Sequence, residues 1–536
     1  MSHGIFTLDD FVGYIPVIAL LGFLVYSIVS LLSYLLTLPF RFLKKGSKEK
    51  ANLNNDEDCN GEDVQMSFTG ATNKSILIIL ALSYLLSPLH LQGQGMKQGN
   101  NTPLYHHHKN SSSSSHQGLF DLMHGSDPKI HQVMALMPNL RRGPNPPLLF
   151  ANRHLQFIPW LIQNEIHRQE GIPYQRMELQ VTACLDKSQE HCERSPLLND
   201  TITLDVFPPF HDQNGGTFHK GSPIIFIAPG LRCESQDIPG TTLVRRAYGE
   251  GFRSIVINRR GHTPNQPLTA PRWNLFGDTD DLEQAYWYIQ QHHAAPHTPF
   301  FLHGVSSGTA VVVTGLSQFD QRREVGDSTA PSFVASISVV PGYDISKVMM
   351  PDRFKLPYNP LLTESSKDHF VRQNEKVLRE FDNQAVDDAL AATNLQELLH
   401  AVAPFAGYPN ATAYFQKENP VNDVHRITTP TLIVNSIDDP CCNVQNIYEQ
   451  SPYPQHNGRS YAQMVADSPG GILAVTKTGT HCPFLDSSST GNTLLPSLVQ
   501  DPYNGGWMLD SWVDRVAMEF YQAALQVYGD ERRYVQ

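Results

Sequence analysis

Positive charge is what this sequence has least of: 40 Lys and Arg stand against 52 Asp and Glu, a formal charge of −12 over 536 residues. Binding to phosphate backbones depends on clustered Lys and Arg, so a nucleic-acid partner is excluded. Cysteine is sparse too. There are seven (Cys59, Cys184, Cys192, Cys233, Cys441, Cys442 and Cys482) with no C-x-x-C pair, which excludes a dense disulfide framework and gives no zinc motif. No cofactor and no metal is expected. Charge of either sign is missing altogether between Phe11 and Phe40. What is plentiful is apolar mass: 40% hydrophobic residues are enough for a sizeable core in one large or two ordinary domains.

The uncharged run reads as a transmembrane helix over residues 11–42, after a short tail at 1–10, because about 20 apolar residues cross a bilayer. A signal peptide would start basic and carry a shorter apolar region, whereas Asp9 and Asp10 precede this one. Arg41, Lys44, Lys45, Lys48 and Lys50 follow, which leaves the polar loop 43–74 in the cytoplasm. A second apolar run, Ser75–Leu91, is marginal as a span because it is short and holds Pro88 and His90. If it crosses, the rest of the chain is extracytoplasmic and the N-x-S/T acceptors Asn100, Asn110, Asn199 and Asn410 are usable; if it lies flat, the rest is cytosolic. Residues 92–144 read as a low-complexity linker, with His106-His107-His108 and Ser111–Ser115 at its centre. Its histidines preorganise no metal geometry, and the H-x4-D pattern of His116 and Asp121 is weak evidence of acyl transfer in such a setting.

From residue 145 to 536 the pattern changes. Continuous apolar runs predict strands at Ile224–Ala228, Ser254–Asn258, Phe300–His303, Val334–Val340, Thr431–Asn435 and Ile472–Thr476. Helical stretches at Thr241–Tyr248, Asp280–His293 and Gly308–Leu316 lie between them. Strands that are apolar throughout, separated by helices, imply an α/β domain whose mostly parallel sheet is covered on both faces. Sites in such sheets form at the carboxyl ends of the strands.

Gly304-Val305-Ser306-Ser307-Gly308 sits at one such end, between a strand and a helix. A serine at the centre of G-x-S-x-G needs small neighbours because the sharp turn that lifts its hydroxyl leaves no room for a Cβ. Gly304 and Gly308 meet that need, making Ser306 the candidate nucleophile. Its base and the acid behind the base follow in chain order. Thr431–Asn435 ends in Ser436-Ile437-Asp438-Asp439-Pro440, which offers Asp439 as the acid with Asp438 as the alternative. The last strand runs into Lys477-Thr478-Gly479-Thr480-His481, and His481 is the candidate base by position. The developing oxyanion needs backbone donors, expected from Ser307 and from Leu231 in the loop Pro229-Gly230-Leu231.

Together these residues resemble the α/β-hydrolase superfamily, and within it the membrane-anchored AB hydrolase 4 family. The similarity covers about residues 147–524. It includes His154-Leu155-Gln156, Asn258-Arg259-Arg260-Gly261-His262, Leu268-Thr269-Ala270-Pro271-Arg272 and Gly277-Asp278-Thr279-Asp280-Asp281-Leu282. The resemblance implies an eight-stranded, mostly parallel sheet, Ser306, Asp439 and His481 as a triad, and an N-terminal anchor in an endomembrane. It also implies action on acyl esters such as monoacylglycerols, phospholipids or medium-chain ethyl esters. Two departures stand out: Thr480 occupies a place where the family often has a second glycine, and Phe157 replaces a usual Thr.

An insertion at about 346–425, helical at Asp387–Val402, is expected to form a lid over the strand ends. Val348-Met349-Met350 and Phe405–Tyr408 are its candidate pocket-lining residues. Cys441, Cys442 and Cys482 flank the acid and the base, where a disulfide would alter the triad. Three functions compete: hydrolysis of lipid-like esters, acyl transfer to an alcohol through the same acyl-enzyme, and a non-catalytic membrane receptor or scaffold on the same fold.

Overall fold

The computed structural model describes residues 118–184, 186–188, 194–210, 218–263, 266–354, 358–487 and 494–533. The two apolar runs at 11–42 and 75–91 lie outside the described residues, and no described helix is long and apolar enough to cross a membrane.

Six strands that are buried along their whole length form the centre of the sheet: β4 (Ile224–Ala228), β5 (Arg253–Asn258), β6 (Phe300–Val305), β7 (Ala335–Val339), β8 (Thr431–Ser436) and β9 (Gly471–Thr476). They are mutually parallel. Three antiparallel strands extend the edges: β1 (Leu119–His124) beside β9, and the hairpin β2 (Gln175–Cys184) and β3 (Arg194–Phe207) beside β5. The order is β1-β9-β8-β7-β6-β4-β5-β3-β2, so this sheet has nine strands among the described residues rather than the eight expected.

The additional edge corrects the linker reading over residues 118–144. The strand LFDLMH is short and its apolar residues are interrupted by Asp121 beside a Ser/His-rich tract, yet Gly118 already donates to Arg142 O and β1 pairs with β9. Helix α1 (Pro128–Ala135) follows, with Ile130 and Val133 fully buried.

Side chains alternate along each strand, so β4 sends Ile225 and Ile227 to one face and Ile224 and Phe226 to the other. The first face is covered by α1, α2 (Gly240–Gly249) and the C-terminal α6 (Trp512–Arg533). The second is covered by α3 (Thr279–His292), α4 (Gly308–Glu324) and α5 (Tyr461–Asp467). Each such Ile or Phe contributes roughly 1.5–3 kcal/mol by leaving water. Two faces packed this way hold the strand ends in register.

Between β7 and β8 the chain forms a helical cap with its own core, including Phe370, Leu378, Val386, Leu398 and Phe405. The pattern at 387–402 is two helices, Asn383–Ala391 and Leu395–Val402, because Asn394 accepts a bond from Glu397 N and starts the second. The cap docks on the body where Trp273 stacks on Phe370, ring centroids 4.9 Å apart.

Candidate active site

Ser306 follows β6 with φ +52°, a left-handed conformation that turns the chain sharply into α4. The neighbouring glycines are needed for space. A Cβ on Gly304 would lie 2.8 Å from Thr309 Cα, and one on Gly308 would lie 2.2 Å from Ala228 O and 2.4 Å from Pro229 O. The start of α4 therefore presses directly against the loop that follows β4.

The structure brings the hydroxyl, imidazole and carboxylate together. His481 Nε2 lies 2.8 Å from Ser306 Oγ, and His481 Nδ1 lies 2.8 Å from Asp439 Oδ2. The other oxygen of Asp439 accepts from the amides of Cys441 (2.7 Å) and Cys442 (2.9 Å), so the carboxylate cannot rotate away from the ring. Asp438 faces elsewhere. It accepts from Thr480 N at 2.8 Å and from the Ser436 hydroxyl, tying the turn that carries His481 to the end of β8. Thr480 itself has φ +54°, a left-handed conformation that favours glycine.

Burial favours the neutral form of His481, but the adjacent Asp439 carboxylate outweighs it, helped by the nearby Cys482 and Cys441 sulfurs, and holds the ring well above its ordinary pKa. Burial is also the main cause that raises Asp438. Cys233, Cys441, Cys442 and Cys482 are all free, so no disulfide joins the thiols that flank the acid and the base. Cys442 Sγ instead lies 3.6 Å from Val340 O.

Ser306, Ser307, His481 and Leu231 open onto one cavity. Its walls are apolar, among them Leu275, Phe276, Ile345, Met349, Phe354 and Leu395. Of the lid residues named from the sequence, Met349 lines it. Val348 and the Phe405–Tyr408 stretch do not; they pack within the cap, where Tyr408 donates its hydroxyl hydrogen to Glu418. Phe157 packs near Trp160 and Tyr358, away from the cavity lining. His154 Nδ1 lies 2.7 Å from the Tyr358 hydroxyl of the cap.

Arg260, Asp278 and Asp281 of the quoted motifs are held in structural ion pairs. Arg260 grips Asp281 through Nε at 2.9 Å and Nη2 at 2.7 Å, and Lys187 pairs with Asp278 beside Asp280 and Glu418. Asp439, Cys441 and His481 also place three potential ligand atoms within 4.8 Å of one another. Two of those groups already face each other in the hydrogen bond at His481 Nδ1.

A family model described as "Alpha/beta hydrolase family" matches residues 225–490, a range that takes in Ser306, Asp439 and His481. The chain belongs to the α/β-hydrolase superfamily. Among curated proteins, this hydrolase is 25% identical over 335 residues to "Monoacylglycerol lipase ABHD2" of Danio rerio, covering 61% of this chain and 68% of that one. It is 26% identical over 254 residues to the protein of the same name in Mus musculus, covering 45% and 56%. It is 25% identical over 293 residues to an "Abhydrolase domain-containing protein" of Dictyostelium discoideum, covering 54% and 67%. The chain thus spans between about half and two thirds of the length of these relatives.

Proposed function

We propose that this chain hydrolyses carboxylic esters of lipid-like or medium-chain acyl groups through Ser306, His481 and Asp439, as a membrane-anchored member of the AB hydrolase 4 branch. One observation carries the reading: an unbroken hydrogen-bonded line from hydroxyl to carboxylate that opens onto an apolar cavity. The lipase names of the relatives agree with it.

In this reading Ser306 Oγ bonds to the ester carbon as its proton passes to His481 Nε2. Asp439 holds Nδ1–H and steadies the imidazolium. The carbonyl oxygen becomes an oxyanion met by the amides of Leu231 and Ser307. Collapse of that intermediate expels the alcohol, which takes its proton from His481 and leaves the acyl group on Ser306. Water then attacks by the same route and releases the acid. The anchor of the proposal is the apolar run at 11–42, which is uncharged from Phe11 to Phe40.

The chemistry of the domain also bears on the side of the membrane. Cys184, at the end of β2, is disulfide-bonded, and such bonds persist in oxidising compartments. Asn199 and Asn410 are both exposed. These features favour an extracytoplasmic catalytic domain.

The deciding experiment is fluorophosphonate labelling of the full chain and of Ser306→Ala, followed by hydrolysis of nitrophenyl esters from acetate to octanoate. Labelling is expected in the wild type alone. Turnover is expected to rise with chain length by up to about fourfold per methylene, the equivalent of about 0.8 kcal/mol of buried CH2. No labelling of the wild type would favour the receptor. Faster ester formation with added ethanol or glycerol than release of free acid would favour acyl transfer, and activity on acetate alone would end the acyl-pocket reading.

A further inference from the structure

Arg259 directly follows β5, and its side chain turns inward beneath the loop 229–231 until only 5% of the residue is exposed. Gly277, at φ +99°, makes room for the stem: a Cβ there would lie 2.8 Å from Arg259 Cδ. The guanidinium Nη2 donates to Pro229 O at 2.9 Å and Gly230 O at 2.8 Å, and reaches the Ser307 hydroxyl at 3.4 Å. One side chain thus touches both segments whose amides face a developing oxyanion in the proposed mechanism.

The Gly230 carbonyl and the Leu231 N–H belong to one planar trans peptide group, so they point in opposite directions. Holding the oxygen against Arg259, with Cys233 N donating to it as well at 3.2 Å, aims the Leu231 N–H the other way. Gly230 stands beside the nucleophile: a Cβ on it would lie 3.5 Å from Ser306 Cβ.

The remaining nitrogens of Arg259 are the second observation. Nε and Nη1 are buried with no hydrogen-bond partner among the described residues, and no described carboxylate pairs with the group. The next residue, Arg260, shows the ordinary solution, a two-pronged ion pair with Asp281. A buried cation without a counter-charge is costly to keep. Burial lowers the pKa of Arg259 to about 10, which still leaves it charged at neutral pH. Its uncompensated positive potential lies directly behind the peptide that borders Ser306.

We propose that Arg259 is a positioning residue for the oxyanion: it fixes the Gly230–Leu231 peptide with its N–H toward the substrate carbonyl oxygen and supplies the positive potential behind that donor. The inference rests on the ester-hydrolase reading, and its test separates the two. In full-length Arg259→Gln, kcat for nitrophenyl octanoate is expected to fall about 100-fold with KM within about twofold, since loss of one oxyanion donor costs that much or more. Arg259→Lys keeps the charge but not the fork, so it recovers part of the rate.

A long-chain trifluoromethyl ketone supplies the readout that a structural role would not move. Ser306 Oγ bonds to its carbonyl carbon, the proton goes to His481, and the carbonyl oxygen becomes the alkoxide of a hemiketal. Its inhibition constant is expected to rise in step with the loss of kcat/KM, whereas an unreactive alkyl ether of glycerol binds each variant as it binds wild type. A folded Arg259→Gln with wild-type kcat, or equal weakening of ketone and ether, overturns the inference while leaving the hydrolase reading intact. If the Gln variant does not fold, the same ketone-to-ether comparison on Arg259→Lys decides. A wild type that turns over no ester and takes no fluorophosphonate fails the hydrolase reading itself, and the inference with it.

Discussion

Asp439→Asn and Asp438→Asn change one atom each in adjacent side chains, and the geometry assigns them very different consequences. In Asp439→Asn the amide oxygen stays with the Cys441 and Cys442 amides, which places the new NH2 group toward His481 Nδ1. Two donors cannot face each other, so Nδ1 loses its proton and Nε2 must carry it. An Nε2–H directed at Ser306 Oγ, 2.8 Å away, cannot accept the hydroxyl proton. Loss of the correct tautomer in such an arrangement costs about 10^4-fold in kcat, or about 5.4 kcal/mol at 1.36 kcal/mol per decade. In Asp438→Asn the amide oxygen can still accept from Thr480 N, so only the charge on that bond is lost. A hydrogen bond is weakened by about 1 kcal/mol when its acceptor loses its charge, which is about fivefold per bond. Initial rates on nitrophenyl octanoate, with thermal unfolding to confirm that both variants fold, measure the contrast. The reasoning is refuted if Asp438→Asn is the crippled enzyme and Asp439→Asn retains more than about a tenth of the activity.

Two further expectations follow from the site and its surroundings. Catalysis needs neutral His481, whose pKa is held well above 6.5 after Asp439 outweighs burial, so kcat/KM should climb with pH along an acid limb centred above 6.5. A limb centred below that value would show that the carboxylate does not dominate the ring. Expression of the full chain in a glycosylating host should give a mobility shift on glycosidase treatment that is reduced in Asn199→Gln with Asn410→Gln; an unshifted wild type would put the domain on the cytosolic side.

How much of this was legible in the sequence depends on what each element is surrounded by. The six central strands announce themselves because a strand buried on both faces must be apolar throughout, as in Ile224-Ile225-Phe226-Ile227-Ala228. The edge strands do not. β2 alternates between exposed and covered positions, and β1 borders a Ser/His-rich tract, so neither forms a continuous apolar run. The positions of Ser306, Asp439 and His481 could be read because each lies where an apolar run ends in turn residues. Arg259 could not: a buried, unpaired arginine and a solvated one look alike in a sequence, and only the placement of Gly277 and Pro229 distinguishes them. For the same reason the split between Met349 in the cavity and Phe405 in the cap core was out of reach.

The tight seat of Gly308 on Ala228 and Pro229 has a mechanical consequence. With no slack between the two backbones, the serine turn and the donor loop must travel as one block, anchored to the stiffest part of the sheet. Accommodation of an incoming chain then falls to the other walls of the cavity, Leu275 and Phe276 of the body and Met349, Phe354 and Leu395 of the insertion. Size selection and bond-breaking reside in separate pieces of polypeptide, and evolution can retune the first without detuning the second.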